Sequence, residues 1–329
     1  RKGGGMFIPA NNTTELVSAL TKIFNNILDV NTTLASPGIA VNQNNKFEHL
    51  SEIYYSVFKP SPRQSWYGNL KKYKIDTNLV NIVDANGNEA VDPDTGFFKK
   101  GSVSFWSNNT DGDEVTVGGA AEHLKLPRFV FTYTDPLNPP NNSVLNTSKN
   151  ILTETNTSLT KSLFELNGVI DNDEFSTFLK WAKGVDVNDE DGNGNNTEVR
   201  SFMGDPLHSR PILLNYSNDK NVLFVSTNQG FLHAIDAASG EEVFSFIPQE
   251  LLPQLYTHYE DNAGKHLYGL DSSWIALRHD DDGDGDISTN QDFIYLYGGM
   301  RMGGRNYYSL DVSNISAANP QPKLRWTIT

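Results

Sequence analysis

The amino-acid sequence predicts a mainly β protein, an incomplete β-propeller preceded by a mixed α/β N-terminal segment. Three observations carry this. Charged residues make up only 20% of the chain and hydrophobic ones 37%, with abundant Asn, Gly, Thr and Ser, a composition of many turns and few long helices. Short apolar runs rich in β-branched and aromatic residues recur between Gly, Asn, Asp and Pro punctuation. Towards the C-terminus four such runs follow one another and then four more, and repeated four-stranded units are the signature of propeller blades.

Taken in order, residues 12 to 28, NTTELVSALTKIFNNIL, place Leu16, Leu20, Ile23, Phe24 and Ile27 on one helical face, with Asn12 and Glu15 spaced as an N-terminal cap. Residues 53 to 58 and 68 to 76 read as strands bounded by Pro60, Pro62 and Gly68. Residues 79 to 91 read as a strand, an Asn-Gly turn and a second short strand. The stretches from Thr95 to Ser107 and from 128 to 134 are expected to continue as strands, and the proline-bearing run 135 to 150 to be a boundary or exposed excursion. DEFSTFLKWAK gives a second helix, stopped by Gly184.

From Pro211 the runs ILLNYS, NVLFVST, FLHAIDA and VFSFI form one set of four strands, and SSWIALR, FIYLYGG, NYYSLDV and LRWTIT form a second. FLHAIDA aligns with NYYSLDV, so Asp236 matches Asp311. Between the sets, PQELLPQLYTHYED is expected to be a surface helix. The organisation expected is a first segment to residue 50, a β-rich segment from 51 to 199, and two blades from 200 to 329. Two blades cannot close a ring of roughly four to eight, so either the strand runs from 50 to 135 supply further blades or, the favoured expectation, the chain is truncated.

A net charge of −14 disfavours nucleic-acid backbone and anionic membrane surfaces and makes cations the natural counter-partners. The absence of cysteine removes disulfides, zinc–thiolate sites, thiol nucleophiles and iron–sulfur clusters. No run of 18 apolar residues exists, so no direct membrane insertion is expected. Asn-x-Ser/Thr triplets recur, as they do by chance in a chain this rich in Asn and Thr.

The run HDDDGDGDIST, residues 279 to 289, is the principal candidate site. Asp280, Asp282 and Asp284 stand at positions 1, 3 and 5 of a calcium loop, Gly285 at 6, and Asp286 at 7 as a carbonyl donor. Ile287 stands at 8 as an apolar pin. Position 12 is Gln291 instead of Glu, so Ser288 or Asp292 is the expected source of the last oxygen. Crowded carboxylates repel one another, and a divalent cation reverses that repulsion. The alternative is a solvated acidic turn. A weaker candidate uses Asp189, Asp191 and Asn193, where the bland alternative, an Asn-Gly-rich turn, weighs more heavily. The short DGDE at 111 to 114 reads as a turn. Asp205, His208 and Ser209 lie too close along the chain for a hydrolytic triad and read as a structural cap. The histidines show no metal-binding spacing, and His233 is expected to be packed within a strand.

Several ordered stretches resemble the type IV pilus tip-associated adhesins of the PilY/PilC group. They are IYYSVFKPSPRQSWYGNLKKYKI (53 to 75), SFWSNNTDGDEVTVGGAAEHL (104 to 124), FLKWAKGVDVNDEDG followed by RSFMGDPLHSRP (200 to 211), and VSTNQGFLHAIDAASGEEVFSFIPQELL. The opening GGGMFIPANNTTELVSALTKIF resembles the tail of the von Willebrand A-type domain that often precedes the propeller in that family. The resemblance implies an extracellular protein at the bacterial pilus tip or outer cell surface, supporting pilus biogenesis, twitching and attachment, with Ca2+ on the propeller. Its implied partners are minor or major pilins and a host or abiotic surface ligand. The Arg-Gly-Asp triplet of some members is absent. GFLHAIDAASGEEVFSF also resembles the blades of quinoprotein dehydrogenases, so a propeller dehydrogenase is the rival reading, and a purely structural calcium-stabilised scaffold is a third. The chain is expected not to be an enzyme.

Overall fold

The structure is a computed structural model that describes residues 17, 34–38, 51–76, 81–135, 142–217, 219–289, 291–315 and 318–329. The chain forms two compact units, Arg1–Thr32 and Thr33–Thr329, and the sheets and helices belong to the second. The helix expected over residues 12 to 28 lies almost wholly outside the described residues.

The fold is mainly β, in three five-stranded sheets. The first contains β1 (Leu34–Gly38), β2 (Glu52–Lys59), β3 (Tyr67–Asp76) and β4 (Asn81–Val83) in that order, with β7 (Met203–Gly204) also pairing β3. The six residues from Ile53 to Phe58 are all buried, and their alternation explains why. Ile53, Tyr55 and Val57 join Tyr73 and Val115 in one cluster, while Tyr54 joins Leu70, Trp106 and residues of the next sheet in another. Alternate side chains of a strand point to opposite faces, so this strand is a core element on both.

The middle sheet has the order β5 (Val130–Phe131), β11 (Glu242–Phe246), β10 (Leu232–Asp236), β9 (Lys220–Ser226), β8 (Ile212–Ser217). The third has the order β12 (Ile275–His279), β13 (Phe293–Gly299), β14 (Tyr307–Asp311), β15 (Lys323–Ile328), β6 (Ser143–Val144). Each is an antiparallel four-stranded meander with one short upstream strand added to its outer edge. The middle sheet is packed on both sides. Leu213, Leu223, Val225 and Ile235 meet the first sheet. Leu214, Val222, Phe224, Leu232, Phe244 and Phe246 share a cluster with Ile294, Leu296, Tyr308, Leu310 and Leu324 of the third. Burial of each such side chain contributes about 1.5–3 kcal/mol before conformational entropy is set against it.

The two meanders repeat one another down to their irregularities. The third and fourth strands lose register between Ala234 and Ile235 in one and between Ser309 and Leu310 in the other. Asp236 and Asp311 each end their strand and accept hydrogen bonds from the turn that follows, Asp236 Oδ1 from Ser239 N at 2.8 Å and Asp311 Oδ1 from Ser313 N at 3.0 Å. A carboxylate that caps its own turn is what an Asp at this position supplies. Among the described residues the sheets form no closed ring.

Several local expectations are corrected. Thr95–Ser107 is not a strand, and its only sheet-like contact is an isolated bridge between Val91 and Phe98. Buried carboxylates take the backbone groups a ladder would need, since Val103 N donates to Asp84 Oδ2 and Ser104 N to Asp111 Oδ1. The run 128 to 134 yields only β5, parallel to β11. The break at 135 to 150 is no simple excursion, because β6 pairs with β15. After the Asn-Gly turn the second strand of the expected hairpin is reduced to bridges at Glu89 and Val91.

Helix α1 (Gly119–Glu122) is one turn, and α2 (Asn172–Ala182) is capped by the Asp171 side chain accepting from Glu174 N. Gly184, at φ 104, ends α2 where a side chain would be strained and would strike Arg128. Helix α3 (Leu252–Glu260) is not a surface helix, for Leu252, Leu255 and His258 are buried and Tyr259 packs edge-on against Phe178 and Trp181 of α2.

Candidate functional site

The acidic loop joins β12 to β13, the first two strands of the third sheet. Its carboxylates organise the loop's own amides before any ligand is considered. Asp280 Oδ1 accepts from Gly283 N at 2.8 Å and Oδ2 from Gly285 N at 3.0 Å. Asp282 Oδ1 accepts from Asp284 N at 3.2 Å, and Asp284 Oδ1 from Asp286 N at 2.8 Å. Gly283 and Gly285 sit at φ 73 and 93, a left-handed backbone that lets the chain turn this tightly. Ile287 anchors the loop, packing on the main core while its N–H donates to Tyr216 O at 2.8 Å.

The result is a convergence of Asp280, Asp282 and Asp284, each offering a carboxylate oxygen within 4.8 Å of the others. Asp286, Ser288 and Asp292 are not part of that trio. Asp292 is buried and has another task, with Oδ1 accepting from Asp281 N and Oδ2 from Ser288 N and Thr289 N at 2.7–3.0 Å. The amides of Asp281 and Thr289 hold its carboxyl well below the usual carboxylate range. It staples the loop closed at the position where the sequence offered a ligand.

Charge is unevenly relieved within the trio. At Asp282 the Asp284 amide lowers the carboxyl's pKa, but desolvation and the charges of Asp284, Asp292 and Asp280 outweigh it and leave the group raised. At Asp280 desolvation is outweighed by the Gly285 and Gly283 amides and by Arg278, and the group is lowered. Arg278 is a residue the sequence reading passed over. Its Nη1 lies 3.3 Å from Asp280 Oδ2 and its Nη2 donates to Gly285 O at 2.6 Å, so it braces the loop while cancelling part of its charge. Hard oxygen donors without sulfur or imidazole suit Ca2+ or Mg2+ chemistry.

The weaker candidate is rearranged. Asp191 converges with Asp186 and Glu198, not with Asp189, whose Oδ1 instead accepts from Gly194 N at 3.0 Å. Asn193 donates through Nδ2 to Asp191 Oδ2 at 2.9 Å. No regular spacing marks Asp186 or Glu198. The available signal was the apolar pair Val185 and Val199, whose bridge closes the loop and brings their neighbours together.

Asp205, His208 and Ser209 do not converge. Asp205 binds His266 at 2.9 Å and Asn228 at 2.7 Å, His208 binds Asp271 at 2.8 Å, and Ser209 Oγ accepts from Ser226 N at 3.0 Å. They tie the middle sheet's entry to the segment before β12. His233 is buried, with Nδ1 2.7 Å from Glu242. The 111 to 114 turn supplies Asp111 to a buried ion pair with Lys71 of β3, Nζ to Oδ2 at 3.1 Å.

No family profile matches this chain, and no solved structure matches it. Over 100 residues it is 34% identical to a protein of Xylella fastidiosa (strain Temecula1 / ATCC 700964) described as a type IV pilus biogenesis factor PilY1 homolog. The matched stretch is 30% of this chain, and the chain spans only 8% of that curated relative. The similarity supports a partial, PilY1-like relationship. Among the described residues no helix is long and apolar enough to cross a membrane.

Proposed function

We propose that this chain is a segment of a type IV pilus-associated surface protein, and that its Asp280–Asp292 loop binds calcium. The convergence of Asp280, Asp282 and Asp284 carries the calcium reading. The 34% identity to a PilY1 homolog supports the pilus connection, and with it an extracellular location, pilin partners and a role in pilus biogenesis, twitching or attachment. In this reading the ion is held by the three carboxylates, with the Asp286 carbonyl and Ser288 as further oxygen donors and water completing the shell. Asp292 and Arg278 fix the loop around it. An affinity of about 10⁻⁴ to 10⁻³ M suffices for an extracellular module.

The two meanders are taken as successive propeller blades. The third sheet's outer face supports this. Ile275, Leu277, Tyr307, Trp326 and Ile328 are exposed there, while the corresponding face of the middle sheet is covered by the third. A further sheet of the same kind fits that surface. No observation favours a quinoprotein enzyme.

Calcium titration calorimetry on this chain and on the Asp282→Ala, Asp284→Ala double variant tests the site. Heat of binding in the first and none in the second is expected, and equal heats in both would overturn the assignment.

A further inference from the structure

We propose that the cleft between the β2–β3 hairpin, the 188–200 loop and the end of α3 binds a neutral sugar unit. The inference stands apart from the calcium reading. Its volume is about 480 Å³, within the roughly 300–1,000 Å³ of small-molecule sites. Arg63, Ser65, Tyr67, Glu190, Arg200 and Asp261 line it.

The polar groups are partly spent on one another, and Arg63 is exposed. Arg200 is buried, lies over the Trp181 ring at 4.4 Å, and donates through Nε to Glu190 Oε1 at 2.8 Å. Its two Nη nitrogens make no hydrogen bond among the described residues, and Glu190 Oε2 likewise accepts none. Across the cleft Asp261, in a left-handed backbone at φ 40, accepts from Ser65 N at 3.1 Å and from Arg63 Nη1 at 3.2 Å. That backbone is the C-terminal cap of α3, with Asp261 N–H donating to Thr257 O at 3.1 Å. The Tyr67 hydroxyl has no partner among the described residues. Two arginine–carboxylate pairs thus face one space, each with donors or acceptors left over, beside aromatic walls.

The ligand chemistry follows from that set. Vicinal hydroxyls both donate and accept, so they match a guanidinium and a carboxylate presented side by side. A free anion is a poorer fit, because Glu190 and Asp261 already balance the two arginines and the chain's net charge is −14.

Catalysis is a poorer fit too. Ser65 Oγ lies 2.5 Å from His258 Nδ1, which invites a nucleophile-and-base reading. Desolvation, then the nearby charges of Arg200 and His266, push His258 down to about 3, so it is a weak proton acceptor at neutral pH. The pair positions the serine hydroxyl.

Saturation-transfer NMR on this chain in calcium-free buffer tests the proposal, using the methyl glycosides of glucose, galactose, mannose and N-acetylglucosamine. At least one is expected to receive saturation. Ser65→Ala and Tyr67→Phe, each deleting one hydroxyl and leaving the Arg200–Trp181 stack intact, are expected to weaken that glycoside's binding about tenfold in combination, with the melting curve confirming a folded variant. No transfer to any of the four, or transfer unchanged in the double variant, would overturn it. Displacement of the glycoside by an equal concentration of acetate would also overturn it, assigning the cleft to carboxylates.

Discussion

The middle and third sheets are one pattern used under two conditions of burial. Phe244 and Trp326 occupy the same register position, opposite Ala234 and Ser309 next to the bulge, yet Phe244 is 0% exposed and Trp326 is 36% exposed. Covered on both faces, the middle sheet carries mostly aliphatic residues and phenylalanines, and its one tyrosine, Tyr216, is buried with its hydroxyl donating to Val312 O at 2.9 Å. The third, covered on one, presents Tyr295, Tyr297, Tyr307 and Trp326, amphipathic rings that tolerate water at one end and apolar contact at the other. The contrast extends to charge. Glu242 and Leu324 correspond, and the middle sheet affords a buried carboxylate because Arg128 arrives from the upstream segment to pair with it at 2.7 Å. In the third sheet the acids stand at the end of β14, as Asp311, and in the loop between β12 and β13.

Breaking the middle sheet is therefore expected to cost most. Phe244→Ala is expected to lower stability by about 3–5 kcal/mol, since its cavity cannot collapse between two packed layers. Urea unfolding followed by tryptophan fluorescence measures this, and a loss under about 1 kcal/mol would mean that the layer is not tightly packed.

Removing the buried charge comes next. Burial alone would raise the Glu242 carboxyl, but Arg128 and then His233 overcome that and bring it down from 4.5 to about 2. Its folded pKa lies below its unfolded one, so its stabilisation is complete above about pH 4.5 and is lost as pH falls towards about 2. Glu242→Gln is expected to cost about 3 kcal/mol at pH 7, because Arg128 is left buried and unpaired. The difference from the parent protein should narrow at pH 3, and a pH-independent difference would separate the effect from ionisation.

Calcium is expected to act on the third sheet more gently, adding about 2.7 kcal/mol at a hundredfold excess over its dissociation constant. A chelator should remove that gain, and Asp282→Ala with Asp284→Ala should abolish it. Trp326→Ala, the counterpart of Phe244→Ala, has the smallest expected effect, within about 1 kcal/mol. Comparable losses at the two positions would show the third sheet's outer face to be covered.

The strands of both meanders were legible because a β-branched or aromatic run bounded by Gly, Asn or Ser leaves few alternatives, and the Asp236–Asp311 match pointed to their shared turn. Thr95–Ser107 misled because its apolar pattern does not reveal Asp84 and Asp111, which capture its amides from elsewhere in the chain. β5 and β6 were illegible as edge strands, since two residues carry no period and their pairing partners lie far along the chain. α3 showed its amphipathic face but not what covers it, which depends on α2. In the acidic loop the register of Asp280, Asp282 and Asp284 was readable from spacing. The division of labour at Asp292 was not, because only the folded loop shows its oxygens already spent on three amides.

We propose a calcium loop on only one of the two equivalent sheets. Amide ¹H–¹⁵N spectra recorded during a calcium titration test it most directly. Shifts centred on residues 279 to 293 and on Asn215 and Tyr216, which the loop's flank hydrogen-bonds, with the rest of the middle sheet from 222 to 246 unmoved, are the predicted result. Unmoved loop amides, or shifts centred on Asp186, Asp191 and Glu198 instead, would contradict it.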